Sequence, residues 1–143
     1  MAQTIGTFDF KKLTVIFGVA KLTGFADGDA VEVAEDSPAF NSVGGADGYV
    51  DRIKNNANFL KITIRLRQTS PTNDILSALH AADRVSGTTL PLLIKDRSGN
   101  TLFAAAQSWI EGFPNAPFGN EAKTREWIIK TGSQYSVFIG GNK

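Results

Sequence analysis

The sequence of 143 residues has no cysteine, a single histidine and no strong excess of either charge. Without cysteine there is no disulfide stapling, no thiol nucleophile and no Cys-based zinc or iron–sulfur site. One histidine, His80, does not make a common zinc centre. Fifteen Lys and Arg against fourteen Asp and Glu leave a net charge of +1. Overall charge therefore gives no pull toward nucleic acid or a membrane surface, and any electrostatic role must come from segregation of charge between faces. No apolar run approaches the ~20 residues that span a bilayer. The start MAQTIGTFDFKKLTVIF lacks the basic segment and unbroken apolar stretch of a secretory signal. A soluble chain with no membrane partner, suited to a reducing cytoplasm, is expected.

What the chain does have is 14 Gly and 10 Phe, a mixture that suits many short strands joined by turns better than a helical bundle. The length predicts one domain, 1–143, large enough to bury its core without metals. Phe8 to Phe17 reads as a strand, with Leu13, Val15 and Phe17 on one face and Lys12, Thr14 and Ile16 on the other. A second strand is expected over Ala20 to Phe25, then a turn at Ala26-Asp27-Gly28-Asp29. After it Val31 and Val33 share a face opposite Ala30, Glu32 and Ala34.

Between Glu35 and Gly48 the periodicity is lost, so residues 35–48 read as a long loop. Phe40 and Val43 within it suggest docking onto another surface, or folding back on the same domain. Tyr49 to Lys54 is a weak strand, whereas Leu60 to Gln68 is the clearest one: Ile62, Ile64 and Leu66 oppose Lys61, Thr63, Arg65 and Arg67. Pro71 stops it, Thr72 or Asn73 can cap a helix over about 72–85 with an apolar stripe Ile75, Leu76, Leu79 and Ala82, and Gly87 ends that helix. Leu90 to Lys95 and Thr101 to Phe113 read as strands around the turn 96–100, followed by strands at Glu121 to Thr131 and Tyr135 to Ile139. The order predicts a mainly β fold, an antiparallel β-sandwich or open barrel with one flanking α-helix.

Chemistry is thin. No nucleophile, base and charge-holding group stand together in a recognisable pattern, so a non-enzymatic protein without cofactor or metal is expected. His80 reads as a partly exposed helix residue. Asp27-Gly28-Asp29 does not continue into a calcium loop, and Gly44-Gly45-Ala46-Asp47-Gly48 lacks the ending and placement of a phosphate loop. Lys61, Arg65 and Arg67 beside Phe59 could touch nucleic acid, but read better as a solvated face or as partners for carboxylates. Trp109, Trp127 and the Phe residues leave open a monomeric β-barrel that binds a small ligand or carbohydrate.

One stretch is more specific. The turn Gly45-Ala46-Asp47-Gly48, the segment with Arg52, Asn55 and Asn56, the strand Lys61 to Arg67 and the junction Thr69-Ser70-Pro71-Thr72-Asn73 stand in an order that resembles the tail tube proteins of contractile-tailed, myovirus-type bacteriophages. The resemblance implies a virion tail subunit, assembled in the host bacterial cytoplasm, that forms stacked hexameric rings around a lumen conducting DNA during ejection. It implies as partners the chain itself, a sheath protein outside, tape measure protein and DNA inside, and baseplate and tail terminator proteins at the ends. A tube of a phage-derived injection device such as a tailed bacteriocin is the related alternative. Within that picture the loop residues Pro38, Phe40, Asn41, Val43 and Asp47 are expected at a contact between rings. Glu32 and Asp36 are candidate lumen residues, or equally an ordinary solvent-facing edge. Arg52, Asn55, Asn56, Ser70, Pro71 and Asn73 carry the family motif.

Overall fold

The computed structural model describes residues 9–97, 102–132 and 136–139. A short 3₁₀ turn, Phe10–Lys12, precedes ten strands and one helix: β1 Leu13–Phe17, β2 Ala20–Lys21, β3 Val31–Glu35, β4 Phe40–Gly44, β5 Val50–Lys54, β6 Phe59–Arg67, α1 Thr72–Ser86, β7 Leu90–Asp96, β8 Leu102–Ile110, β9 Thr124–Gly132 and β10 Ser136–Ile139. Pairing is antiparallel throughout. The path β2-β1-β7-β8-β9-β6-β3 runs without a break, β10 lies on β8, and β4 with β5 forms a separate ribbon.

That path bends into two layers at β8. Leu102 to Ala105 pair with β7 on one side and β10 on the other, whereas Trp109 and Ile110 pair with β9. Between these halves the β7–β8 register slips, so that Leu90 faces Ser108 but Leu92 faces Ala105. The extra residue in β8 is a bulge, which turns a strand out of one sheet and into another. On the far side the chain crosses back after β2, with Gly24 O accepting from Arg67 N–H and Ala26 N–H donating to Arg65 O. The expected mainly β, antiparallel fold with one flanking helix is what forms.

The core is built by alternation. Val15 and Phe17 of β1, Leu92 and Ile94 of β7, and Phe103 and Ala105 of β8 face Ile62, Ile64 and Leu66 of β6 and Trp127 and Ile129 of β9, all buried. Leu76 of α1 and Leu22 from the crossing join them. The assigned faces of β6 are therefore right: Ile64 is fully buried, and Arg65 turns outward.

Several expectations need correction. The loop over 35–48 is half of a hairpin, because β4 pairs with β5 from Phe40↔Lys54 to Gly44↔Val50. Its strands lack period-2 burial because neither face is covered, so the alternation that betrays a strand was never written into the sequence. The second strand shrinks to Ala20–Lys21, since the chain there leaves one sheet for the other. Ala30 is buried, apart from the exposed Glu32 and Ala34 with which it was grouped. On α1 the inward stripe is Thr72, Leu76 and His80, not Ile75 and Ala82, which are exposed. The turn expected at 96–100 lies mostly outside the described residues, as does Tyr135. Gly87 ends the helix as expected, in the left-handed region at φ 69°, with its N–H on Asp83 O.

Candidate assembly surfaces

Three features gather the residues singled out in the sequence. The first is a knot beneath the helix start. Ser70 Oγ donates to Thr23 O at 2.7 Å and accepts from Thr72 N–H at 3.3 Å, while Thr72 Oγ1 accepts from Thr23 N–H at 3.0 Å. Asn73 does not cap the helix. Its amide donates to Arg67 O at 2.9 Å and to Gln68 O at 3.3 Å, and its Oδ1 accepts the indole N–H of buried Trp127 at 3.0 Å. The residue before the helix is Pro71, which supplies no side-chain cap. Ser70 and Asn73 thus tie β6, α1, the crossing and β9 together, with Pro71 between them at the helix start. Gly24 completes the knot: its φ is 74°, and a Cβ there would meet Ser70 Oγ and, at 2.6 Å, Ser70 Cβ.

The second feature is the β4–β5 ribbon, an arm that stands clear of the body with all ten strand residues exposed. Its turn is closed by Gly45 N–H to Tyr49 O at 2.7 Å and Gly48 N–H to Gly45 O at 3.1 Å, with Gly48 at φ 93° and Asp47 Oδ1 accepting from Tyr49 N–H at 3.4 Å. At its base Asn55 acts as a clasp. Its N–H donates to Ala39 O at 2.8 Å, its amide to Ser37 Oγ at 3.2 Å and Pro38 O at 3.1 Å, and its Oδ1 accepts from Ala57 N–H at 3.1 Å. The Arg52 guanidinium lies over the Phe40 ring at 4.4 Å. Asn56 is exposed, and no contact among the described residues explains it. Pro38, Phe40, Asn41, Val43 and Asp47 are therefore brought together on one projecting element, with Phe40 and Val43 uncovered.

The third feature is the outer face of the sheet β8-β9-β6-β3. Arg65 Nε holds Glu126 at 3.1 Å, its Nη1 lies 3.7 Å from Glu32 and donates to Asp29 O at 2.7 Å. Lys130 Nζ lies 3.1 Å from Asp36 and 3.6 Å from Glu111, which also accepts the Trp109 indole N–H at 3.0 Å. The hydrogen bond to Asp36 raises the Lys130 pKa above its ordinary value, aided by the nearby Glu111. Glu32 and Asp36 thus share one face with bases between them. They are not free carboxylates, and Arg65 is a partner for carboxylates, as its strand position suggested.

Sequence reasoning misplaced His80, which is buried with its ring edge-on to Phe113 at 4.7 Å. It also missed the outer face of the other sheet, where Ile16 had been grouped with polar residues. The available signal was the run of neighbouring apolar residues in LTVIF and LPLLI, which marks strands that are apolar on both faces.

A family model described as Bacteriophage PhiTE tail tube protein matches residues 14–138. Structural protein ORF10 of Pseudomonas phage KPP10 is 32% identical over 152 residues, covering all of this chain and 87% of that protein. Among solved structures, a chain of the virion of a native gene transfer agent particle aligns with a TM-score of 0.61 at 11% identity, covering 94% of this chain and all of that one. A chain from the tube-terminating cap of the anti-feeding prophage aligns with a TM-score of 0.61 at 8% identity, covering 99% and 96%. At such low identity these two likenesses speak to the fold alone. The family match, spanning nearly the whole chain and all three surfaces, settles the class: the chain belongs to the PhiTE tail tube protein family and is a structural protein of a phage tail.

Proposed function

We propose that the chain is a single-domain tube subunit that assembles into six-membered rings, and that the stacked rings form a tube in the virion tail whose lumen conducts DNA during ejection. The observation that carries this reading, beside the family, is the exposed β4–β5 arm. An isolated two-stranded ribbon is marginal in water, so an arm with Phe40, Val43, Tyr49, Val50 and Ile53 uncovered gains its support from a partner. The outer edge of β3, unpaired among the described residues, adds a second argument, because ring symmetry removes open edges as barrel closure does within one chain. The arm, with Pro38, Phe40, Asn41, Val43 and Asp47, makes the contact between copies. Sheath protein lies outside, tape measure protein and then DNA inside, and baseplate and terminator proteins at the ends; assembly takes place in the host cytoplasm.

Glu32 and Asp36 face the lumen in this reading. Their pairing with Arg65 and Lys130 makes a hydrated wall of balanced charge, not a strongly negative one. Phosphate passing such a wall meets bases whose carboxylate partners are already seated, which limits sticking. The ligand-binding alternative has less support, since Trp127 is packed in the core and neither Trp lines the trough described below. Negative-stain imaging and sizing of the purified protein test the proposal: rings or tubes are expected, and a monomer at every concentration and salt would falsify it.

A further inference from the structure

The outer face of the sheet β2-β1-β7-β8-β10 carries a shallow trough of about 490 Å³ lined by Ile16, Gly18, Leu93, Ala104, Ala106 and Val137. Register places two bases at its margin: Lys21 is opposite Ile16, and Lys95 is opposite Thr14, so both share the outer face. The outward positions of these strands are apolar, Thr, Gln or Lys, with no acid among the described residues. Neither Lys21 nor Lys95 has an ion-pair partner among the described residues.

The arm has two unlike faces. Phe40↔Lys54, Ser42↔Arg52 and Gly44↔Val50 form one, basic and without acid. Asn41↔Ile53 and Val43↔Asp51 form the other, which Tyr49 extends; it is apolar with one carboxylate and no base. Val43, Tyr49 and Ile53 on that face are 51%, 78% and 53% exposed. Taking the proposed tube assembly as given, we propose that this acidic, apolar face of one copy's arm seats in the trough of the next copy, with Asp51 against Lys21 and Lys95.

Dimensions and sign both fit. Five-residue strands make an arm roughly 17 Å long at ~3.4 Å per residue, and β1, β7, β8 and β10 span roughly 14 Å at ~4.8 Å spacing. Ala104 and Ala106 keep the floor low enough for a ribbon to approach, while the trough lacks any acid that would repel Asp51. An arm leaving β3 at the edge of the second sheet does not reach its own trough, as its full exposure shows. Arm-to-trough contact is therefore head-to-tail, using different patches on the two copies, which either closes a ring or propagates. One such contact buries less than the ~800 Å² per partner of a standard stable interface, so it acts together with other contacts of the assembly and does not hold a dimer alone.

The cysteine-free chain makes the test direct. Val43→Cys and Leu93→Cys proteins are prepared separately, mixed under assembly conditions and treated with a short thiol-to-thiol crosslinker. Covalent dimers are expected from the mixture on a denaturing gel, and none when Val43→Cys is replaced by Ser42→Cys on the opposite face. Tubes seen by negative stain without the Val43–Leu93 product overturn this seating and leave the tube reading intact. The product without tubes supports the seating and counts against the tube; neither product nor tubes overturns both. Dimers through Ser42 instead of Val43 reverse the seated face and also overturn the proposal. As a second arm, Asp51→Lys is expected to slow assembly on the order of tenfold, and Lys21→Asp with Lys95→Asp to restore it. A loss that this exchange leaves unrepaired, in chains folded by circular dichroism, overturns the pairing.

Discussion

The two sheets share one core but turn very different surfaces outward. The sheet β2-β1-β7-β8-β10 presents Ile16, Leu93, Ala104 and Val137, whereas β8-β9-β6-β3 presents Glu32, Asp36, Arg65, Glu126, Lys130 and Glu111. A β-sheet of a monomer normally alternates between an apolar inside and a polar outside. The second sheet obeys that rule; the first breaks it. An apolar patch of this kind marks an interaction site, so in the proposed assembly the contrast separates a face open to water or passing solute from one that a second copy covers.

The comparison is most severely tested by placing the same charge on the two sides of apolar strands. Ile64→Asp puts a carboxylate at a fully buried position, at a cost of several kcal/mol against a typical ~5–15 kcal/mol of total stability. It is expected to abolish the folded far-UV dichroism. Leu93→Asp, on the outward side of β7, is expected to fold with stability near that of the parent and to lose assembly in sizing and negative stain. Equal unfolding of both variants would mean that the first sheet's outer face is a second core.

A smaller effect tests what holds the sheets in their relation. Asn73→Ala leaves the buried Trp127 indole N–H without its acceptor, and about 1–3 kcal/mol of stability is expected to go in urea titration. Smaller again is Arg65→Ala. Its ion pairs with Glu126 and Glu32 are partly exposed, so about 0.2–1 kcal/mol is expected in thermal melts. A loss of several kcal/mol would show that the charged face is structural and not a solvated wall.

The least effect is with pH. Lys130 has its pKa raised by Asp36, so the charged form is favoured in the folded state. Its contribution is complete below the ordinary value of 10.5 and fades as pH rises through the higher folded value. Asp36→Asn should therefore flatten the alkaline limb of the stability profile and leave the neutral range little changed.

Strands with one covered face were legible in the sequence. β6 shows strict alternation because Ile62, Ile64 and Leu66 meet the core while Lys61 and Arg65 meet water. The helix end was legible too, since Gly87 is needed where φ is 69°. The arm was legible only in its second half, where the weak strand Tyr49 to Lys54 became β5; β4 was read as loop, because a strand exposed on both faces carries no burial pattern to read. The roles of Asn55 and Asn73 were equally hidden: both are polar residues at sites of backbone change, and only the fold shows that one clasps the arm and the other holds an indole. Of the candidate surfaces, the arm's residues were picked out by their apolar character in a polar segment, whereas the trough was overlooked because Ile16 reads as a lone apolar residue on a polar face and the apolar run of β7 shows no alternation.

The bulge in β8 has a mechanical meaning. Since one strand pairs with β7 and β10 through Leu102 to Ala105 and with β9 through Trp109 and Ile110, the two layers share a continuous covalent member. Pulling them apart therefore loads the backbone of β8 at its bulge as well as the ladder bonds on either side of it. A subunit gripped on one outer face and stretched from the other would deform as a single stiff body.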